Sequence, residues 1–82
     1  MKDNKYIPCV VQATYQGNFV IKVEFNDGLR KEIDFSKWLK GGIFEDLRDE
    51  KKFRDFFIDG MTITWSNGAD IAPETLYASD EV

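Results

Sequence analysis

From Cys9 to Phe35 the apolar side chains occupy odd positions: Cys9, Val11, Ala13 and Tyr15, then Phe19, Ile21, Val23 and Phe25, then Leu29, Ile33 and Phe35. A repeat of two is the period of a strand whose alternate side chains meet opposite faces of a sheet. The breaks, Gln16-Gly17-Asn18 and Asn26-Asp27-Gly28, are rich in residues that accept a positive φ. The segment therefore reads as a three-stranded antiparallel meander with two hairpins. A slip of one residue would turn a whole strand over, so the apolar set selects the loop length. Three-residue loops set Phe25 opposite Leu29, Ile21 opposite Ile33, Ala13 opposite Ile21 and Val11 opposite Val23, whereas two-residue loops would pair apolar with polar. Lys31 breaks the pattern on the inward face. It reads as an edge-strand lysine whose stem covers apolar surface and whose head reaches water.

Beyond Phe35 the period changes. Ser36 is placed to cap a short turn carrying Trp38 and Leu39, with Gly41-Gly42 ending it. Asp49 is placed to cap a helix in which Phe53, Phe56 and Phe57, at i, i+3 and i+4, form an apolar stripe lying across the sheet. Strand alternation returns at Met61, Ile63 and Trp65. A turn at Ser66-Asn67-Gly68 then folds Ala69 and Ile71 back against them. Pro73 suits the first position of a short helix anchored by Leu76 and Tyr77, Asp70 caps it, and Ala78 to Val82 should fray. The expected fold is α+β in the order β-β-β-α-β-β-α, an antiparallel meander plus a C-terminal hairpin covered by short helices. It forms a single domain over residues 1–82, with the meander at 9–35, the short helices at 36–57 and the hairpin with its terminal helical turn at 61–77.

Composition adds exclusions to that architecture. A chain of 82 residues relies on a few large side chains for its core, and the seven Phe, two Trp and three Tyr supply them. One cysteine forms no internal disulfide. No apolar run approaches the ~18 residues that span a bilayer, and Met1-Lys2-Asp3-Asn4-Lys5 leads into no signal-peptide stretch, so the expected location is cytoplasmic. A net charge of −4 argues against direct binding of nucleic acid, whose phosphates call for clustered Lys and Arg. The charge is also segregated. Residues 57–82 carry Asp59, Asp70, Glu74, Asp80 and Glu81 with no Lys or Arg, so the expected partner is a protein with a basic surface.

Candidate chemistry is sparse. The absence of His removes the commonest general base and zinc ligand, and a single Cys9, placed on the inward face, rules out a cysteine-histidine dyad or a cysteine zinc cluster. The expectation is no catalytic residue, no cofactor and no metal. The most site-like stretch runs from Asn67 to Glu74, where Asp70 and Glu74 could be paired acids; their roles at a helix start account for them first. Trp65 and Tyr77 read either as core anchors or as an exposed aromatic pair beside the acidic end.

The residues Leu39, Gly42, Phe44, Leu47, Asp49 and Phe53, then Thr62-Ile63-Thr64-Trp65, Asn67-Gly68-Ala69-Asp70-Ile71-Ala72-Pro73-Glu74 and Leu76-Tyr77 resemble the domain of unknown function 2442 family, small bacterial proteins. Val23-Glu24-Phe25-Asn26-Asp27-Gly28 resembles its amino-terminal half, and Ser66 stands where members commonly carry Pro. The resemblance implies an α+β fold with no assigned activity. Some members are fused to helix-turn-helix domains, absent here, and some lie beside small genes in suspected toxin-antitoxin pairs. The functional expectation is a non-catalytic protein-interaction module, an antitoxin-like or regulatory member of a two-protein bacterial system, with Trp65, Asn67, Asp70, Glu74 and Tyr77 as partner-binding residues. Two alternatives stand beside it. One is a small hydrolase or metal-dependent enzyme using Asp70 and Glu74 with Lys31, and the other is a domain that self-associates, as a homodimer through a sheet edge.

The facing of the third strand is testable. Ile33→Asp should abolish cooperative thermal unfolding by burying an unpaired charge, while Glu32→Ala should leave the midpoint within a degree or two. Equal midpoints would refute the assignment.

Overall fold

The computed structural model describes residues 8–82; the lead-in segment Met1–Lys5 lies outside them. Strands β1 (Val10–Gly17), β2 (Val20–Phe25) and β3 (Arg30–Asp34) form an antiparallel sheet in the order β1-β2-β3. The second hairpin has the register that its apolar alternation demands. Ile21 stands opposite Ile33, the Phe25 N–H donates to the Leu29 carbonyl at 2.9 Å, and Gly28 takes a φ of 91° at the end of the three-residue loop. Leu29 itself is exposed, a departure from its inward assignment.

The first hairpin departs further. It turns on two residues, Asn18 and Phe19, with φ of 54° and 64°, rather than on three. Both central residues at positive φ is the turn whose twist matches that of the strands. Such a loop alone would pair apolar with polar; an extra residue in β1 at Gln16 corrects this, and a second at Val11 puts Val10 in its place opposite Phe25. The partners become Tyr15 with Ile21, Ala13 with Val23 and Val10 with Phe25. Val10 is consequently buried and Val11, expected inward, is 54% exposed; Cys9 is half-buried. A left-handed Phe19 costs about 1–2 kcal/mol. Its ring packs 5.1 Å from that of Phe53 and its N–H donates to the Tyr15 hydroxyl at 3.3 Å, contacts that offset the strain.

After β3 the cap is Asp34 and not Ser36. The Asp34 carboxylate accepts from the Ser36 amide at 2.9 Å and its hydroxyl at 2.7 Å, and these bonds hold its pKa below the usual carboxylate range. A 3-10 turn, Phe35–Trp38, leads to buried Leu39, and Gly41 opens a second 3-10 run, Gly42–Arg48, where Gly41-Gly42 had been expected to end one. Asp49 caps α1 (Glu50–Phe53) as expected, accepting from the Lys51 amide at 3.1 Å.

Helix α1 stops one turn in, so Phe57 does not extend the Phe53 stripe. Phe57–Asp59 instead forms β4 and pairs antiparallel with β5 (Thr62–Thr64) across Gly60 and Met61. A single turn of helix has too few hydrogen bonds to propagate alone, and the aromatic and branched run before Asp59-Gly60 finds a strand partner two residues further on. The hairpin expected between Met61–Trp65 and Ala69–Ile71 shrinks to a Trp65 N–H to Ala69 carbonyl bond of 2.9 Å and a bridge between Thr64 and Asp70.

Helix α2 (Pro73–Ala78) begins at Pro73 with Ala72 at its cap, so Asp70 does not cap it, and Leu76 is its buried anchor. The head of part-buried Lys31 is held by the protein. Its Nζ donates to the Tyr77 carbonyl at 2.6 Å and to the Ser79 carbonyl, tying β3 to the end of α2 where carbonyls lack helical partners. The tail is likewise docked, with the Val82 N–H donating to the Glu32 carbonyl at 2.8 Å.

Lys31→Met keeps the apolar stem and removes the donor head. Urea unfolding should show a loss of about 1–3 kcal/mol, whereas Lys22→Met, on the exposed outer face, should change little. No difference between the two would mean that the Lys31 bonds contribute nothing.

Candidate partner-binding surface

The residues that sequence assigned to binding are dispersed. Trp65 is 2% exposed; its indole N–H donates to the Phe53 carbonyl at 2.7 Å and its ring lies 5.6 Å from that of Phe53. It is a core anchor. Tyr77 is half-buried, edge-on to Phe25 at 5.0 Å, and its hydroxyl meets the Asp27 carboxylate at 2.6 Å. Asn67 is exposed, yet its side chain holds the turn, donating to the Ile43 carbonyl at 3.1 Å and accepting from the Ala69 amide at 3.0 Å.

The two acids point to different places. Glu74, in the first turn of α2, lines a shallow groove of about 560 Å³ with Lys37, Trp38 and Ser79. Asp70 is exposed and stands opposite Thr64 beside β5, while Lys31 is engaged with the carbonyls at the end of α2. Of these three, the candidates for an enzymatic site, only Glu74 lines that groove. Among the described residues no group of three His, Cys, Asp or Glu side chains is gathered to hold a metal ion. Other perturbed groups are tied to neighbours. Burial, then its hydrogen bond to Glu50, raises the Tyr15 pKa, and the carboxylate of Asp46, 2.9 Å away, raises that of Lys52.

A different surface emerges from the β4–β5 register. Ile63 is fully buried, so Ile58, directly opposite it, lies on the core side of the small sheet. Strand alternation then sends Phe57, Asp59, Thr62 and Thr64 to the outer side. Phe57 pairs with Thr64 and Thr64 bridges to Asp70, so Phe57 and Asp70 stand in one row across that side, with Asp59 next to Phe57 along the strand. Phe57 is 45% exposed, and Asp59 and Asp70 are exposed. Nearby, the Val10 N–H donates to the Met61 carbonyl at 2.9 Å, bringing the exposed Val11 and Met61 to the same corner. The arrangement can bury an aromatic ring and match cationic groups on either side of it.

Of this surface the sequence singles out Asp70 as a binding residue and Asp59 as part of the acidic stretch. Phe57 was assigned to a helical stripe, although a run of aromatic and branched residues ending in Asp59-Gly60 also carries a hairpin signal.

An antiparallel meander and a small hairpin, joined by short helices around one aromatic core, define a small α+β domain. The chain belongs to the family described as protein of unknown function (DUF2442), whose profile matches residues 10–81. No curated protein and no solved structure matches it. Among the described residues no helix is long and apolar enough to cross a membrane.

The division between core and surface aromatics predicts opposite responses. Trp65→Phe removes the donor to a buried carbonyl and leaves a void, so urea unfolding should lose about 2–4 kcal/mol. Phe57→Ser should stay within about 0.5 kcal/mol of the parent. The reverse order would invert the assignment.

Proposed function

We propose that the chain is a non-catalytic protein-binding module of the bacterial cytoplasm, the antitoxin-like or regulatory member of a two-protein system, and that it contacts a basic protein through the outer side of β4–β5. The observation that carries this reading is Phe57, an aromatic ring left exposed on a strand, with Asp59 two residues along that strand and Asp70 beyond Thr64 in the same row. Exposed aromatics supply much of the energy of protein interfaces. Carboxylates beside them steer a cationic partner to its place and raise its association rate more than its affinity. The absence of any Lys or Arg from residues 57–82 leaves this part of the chain without internal cations to neutralise those acids.

The test begins with affinity purification from the native host and continues with the purified partner in surface-plasmon binding. Asp59→Asn with Asp70→Asn should slow association several-fold at low salt and less at physiological salt, where the screening length is about 8 Å. Phe57→Ser should instead speed dissociation about tenfold or more. Binding indifferent to salt and to all three substitutions would overturn the proposal.

A further inference from the structure

The edges of the two sheets are treated differently. At the main sheet, β1 carries two irregularities and meets Met61 at its start, while the outer edge of β3 is crossed by Lys31 and receives the Val82 N–H at Glu32. Bulges, lysines and covering segments are the devices by which proteins keep strand edges from pairing with other chains. Strand β4 is short, ends in the charged Asp59 and has β1 packed near it, but it carries no bulge and no lysine. Among the described residues its backbone hydrogen-bonds to β5 and to no other strand, all three of its residues are exposed, and two of them are Phe57 and Ile58.

We infer that β4 receives an added strand from the partner, an extended segment that alternates apolar and basic residues; this rests on the binding reading above. Pairing at an open edge supplies main-chain hydrogen bonds, and the alternate side chains supply the selectivity. Ile58 lies on the core side and is 37% exposed, so the added residue beside it meets apolar surface and must itself be apolar. The neighbouring positions of the added strand fall on the outer side, next to Phe57 and Asp59, and there a basic residue is matched by the Asp59 carboxylate. A second copy of this chain is the poorer occupant. Antiparallel pairing about Ile58 would bring both Asp59 carboxylates to one face and join two chains of net charge −4.

The probe is a capped hexapeptide alternating lysine and valine, titrated into the isotope-labelled full chain with the backbone amides followed by NMR. Shifts should concentrate at Phe57, Ile58 and Asp59. The same peptide with its edge-facing nitrogens methylated, and an aspartate-valine counterpart, should each bind at least tenfold more weakly. Phe57→Lys, which places a gatekeeper on this exposed edge, should abolish the shifts while leaving the rest of the spectrum unchanged. If the methylated peptide binds equally well, or if the lysine-valine peptide leaves the β4 amides unmoved, strand addition is refuted; salt-dependent binding of the purified partner would then still support the wider reading. A concentration-dependent dimer that Phe57→Lys dissolves would also overturn the inference, in favour of a second copy as the occupant.

Discussion

The structure depends on what surrounds Phe53. Its ring meets Tyr15, Phe19, Phe35 and Trp65, with centroids 5.1 to 5.8 Å apart, and its carbonyl receives the indole N–H of Trp65. These contacts gather β1, the first turn, the end of β3, α1 and the end of β5 around one side chain. The carbonyl bond matters as much as the rings. Helix α1 is a single turn whose last carbonyls have no helical partner, and a buried unpaired carbonyl costs about 1–3 kcal/mol. Trp65 satisfies it while filling the core, which allows α1 to stop at Phe53 and the chain to re-enter as strand.

That early stop creates the exposed surface. Had the helix continued, Phe57 would have joined the buried stripe. With the chain extended from Phe57, the burial of Ile63 fixes the orientation of both strands of the small sheet, turns Ile58 inward and sends Phe57 and Asp59 outward. Asp70 joins them because the turn after Trp65, held by the Asn67 side chain, returns the chain to Thr64. The surface is thus a by-product of satisfying the core, and its acids stand where burial leaves room only for solvated groups.

Much of the fold was legible in the residues. The period of two between Ile21 and Phe35, with Asn26-Asp27-Gly28 between the strands, specified the second hairpin because a slip of one residue would bury Lys22 and Glu24. Asp49 as a cap, Pro73 at a helix start and Leu76 as an anchor were equally readable, since each is a local rule satisfied by one or two residues. Of the surface, Asp70 was visible through the segregation of charge, whereas Trp65 looked equally suited to core or interface until its burial was known.

What the sequence determined by itself, then, is most of the core, with Val11 and Leu29 as exceptions, and the class of the fold, because alternation, caps and turns act over a few neighbouring residues. The tertiary structure decided the rest wherever two local solutions compete. Asn18 and Phe19 take a two-residue turn because β1 can absorb an extra residue at Gln16, and Phe57 joins a strand rather than the helix because β5 lies within reach. The head of Lys31 binds backbone carbonyls because those at the end of α2 arrive beside it from 46 residues away. For Lys31 the deciding partner is distant in the chain, and only folding brings it near; for the two turns it is the neighbouring strand, whose pairing outweighs the local preference.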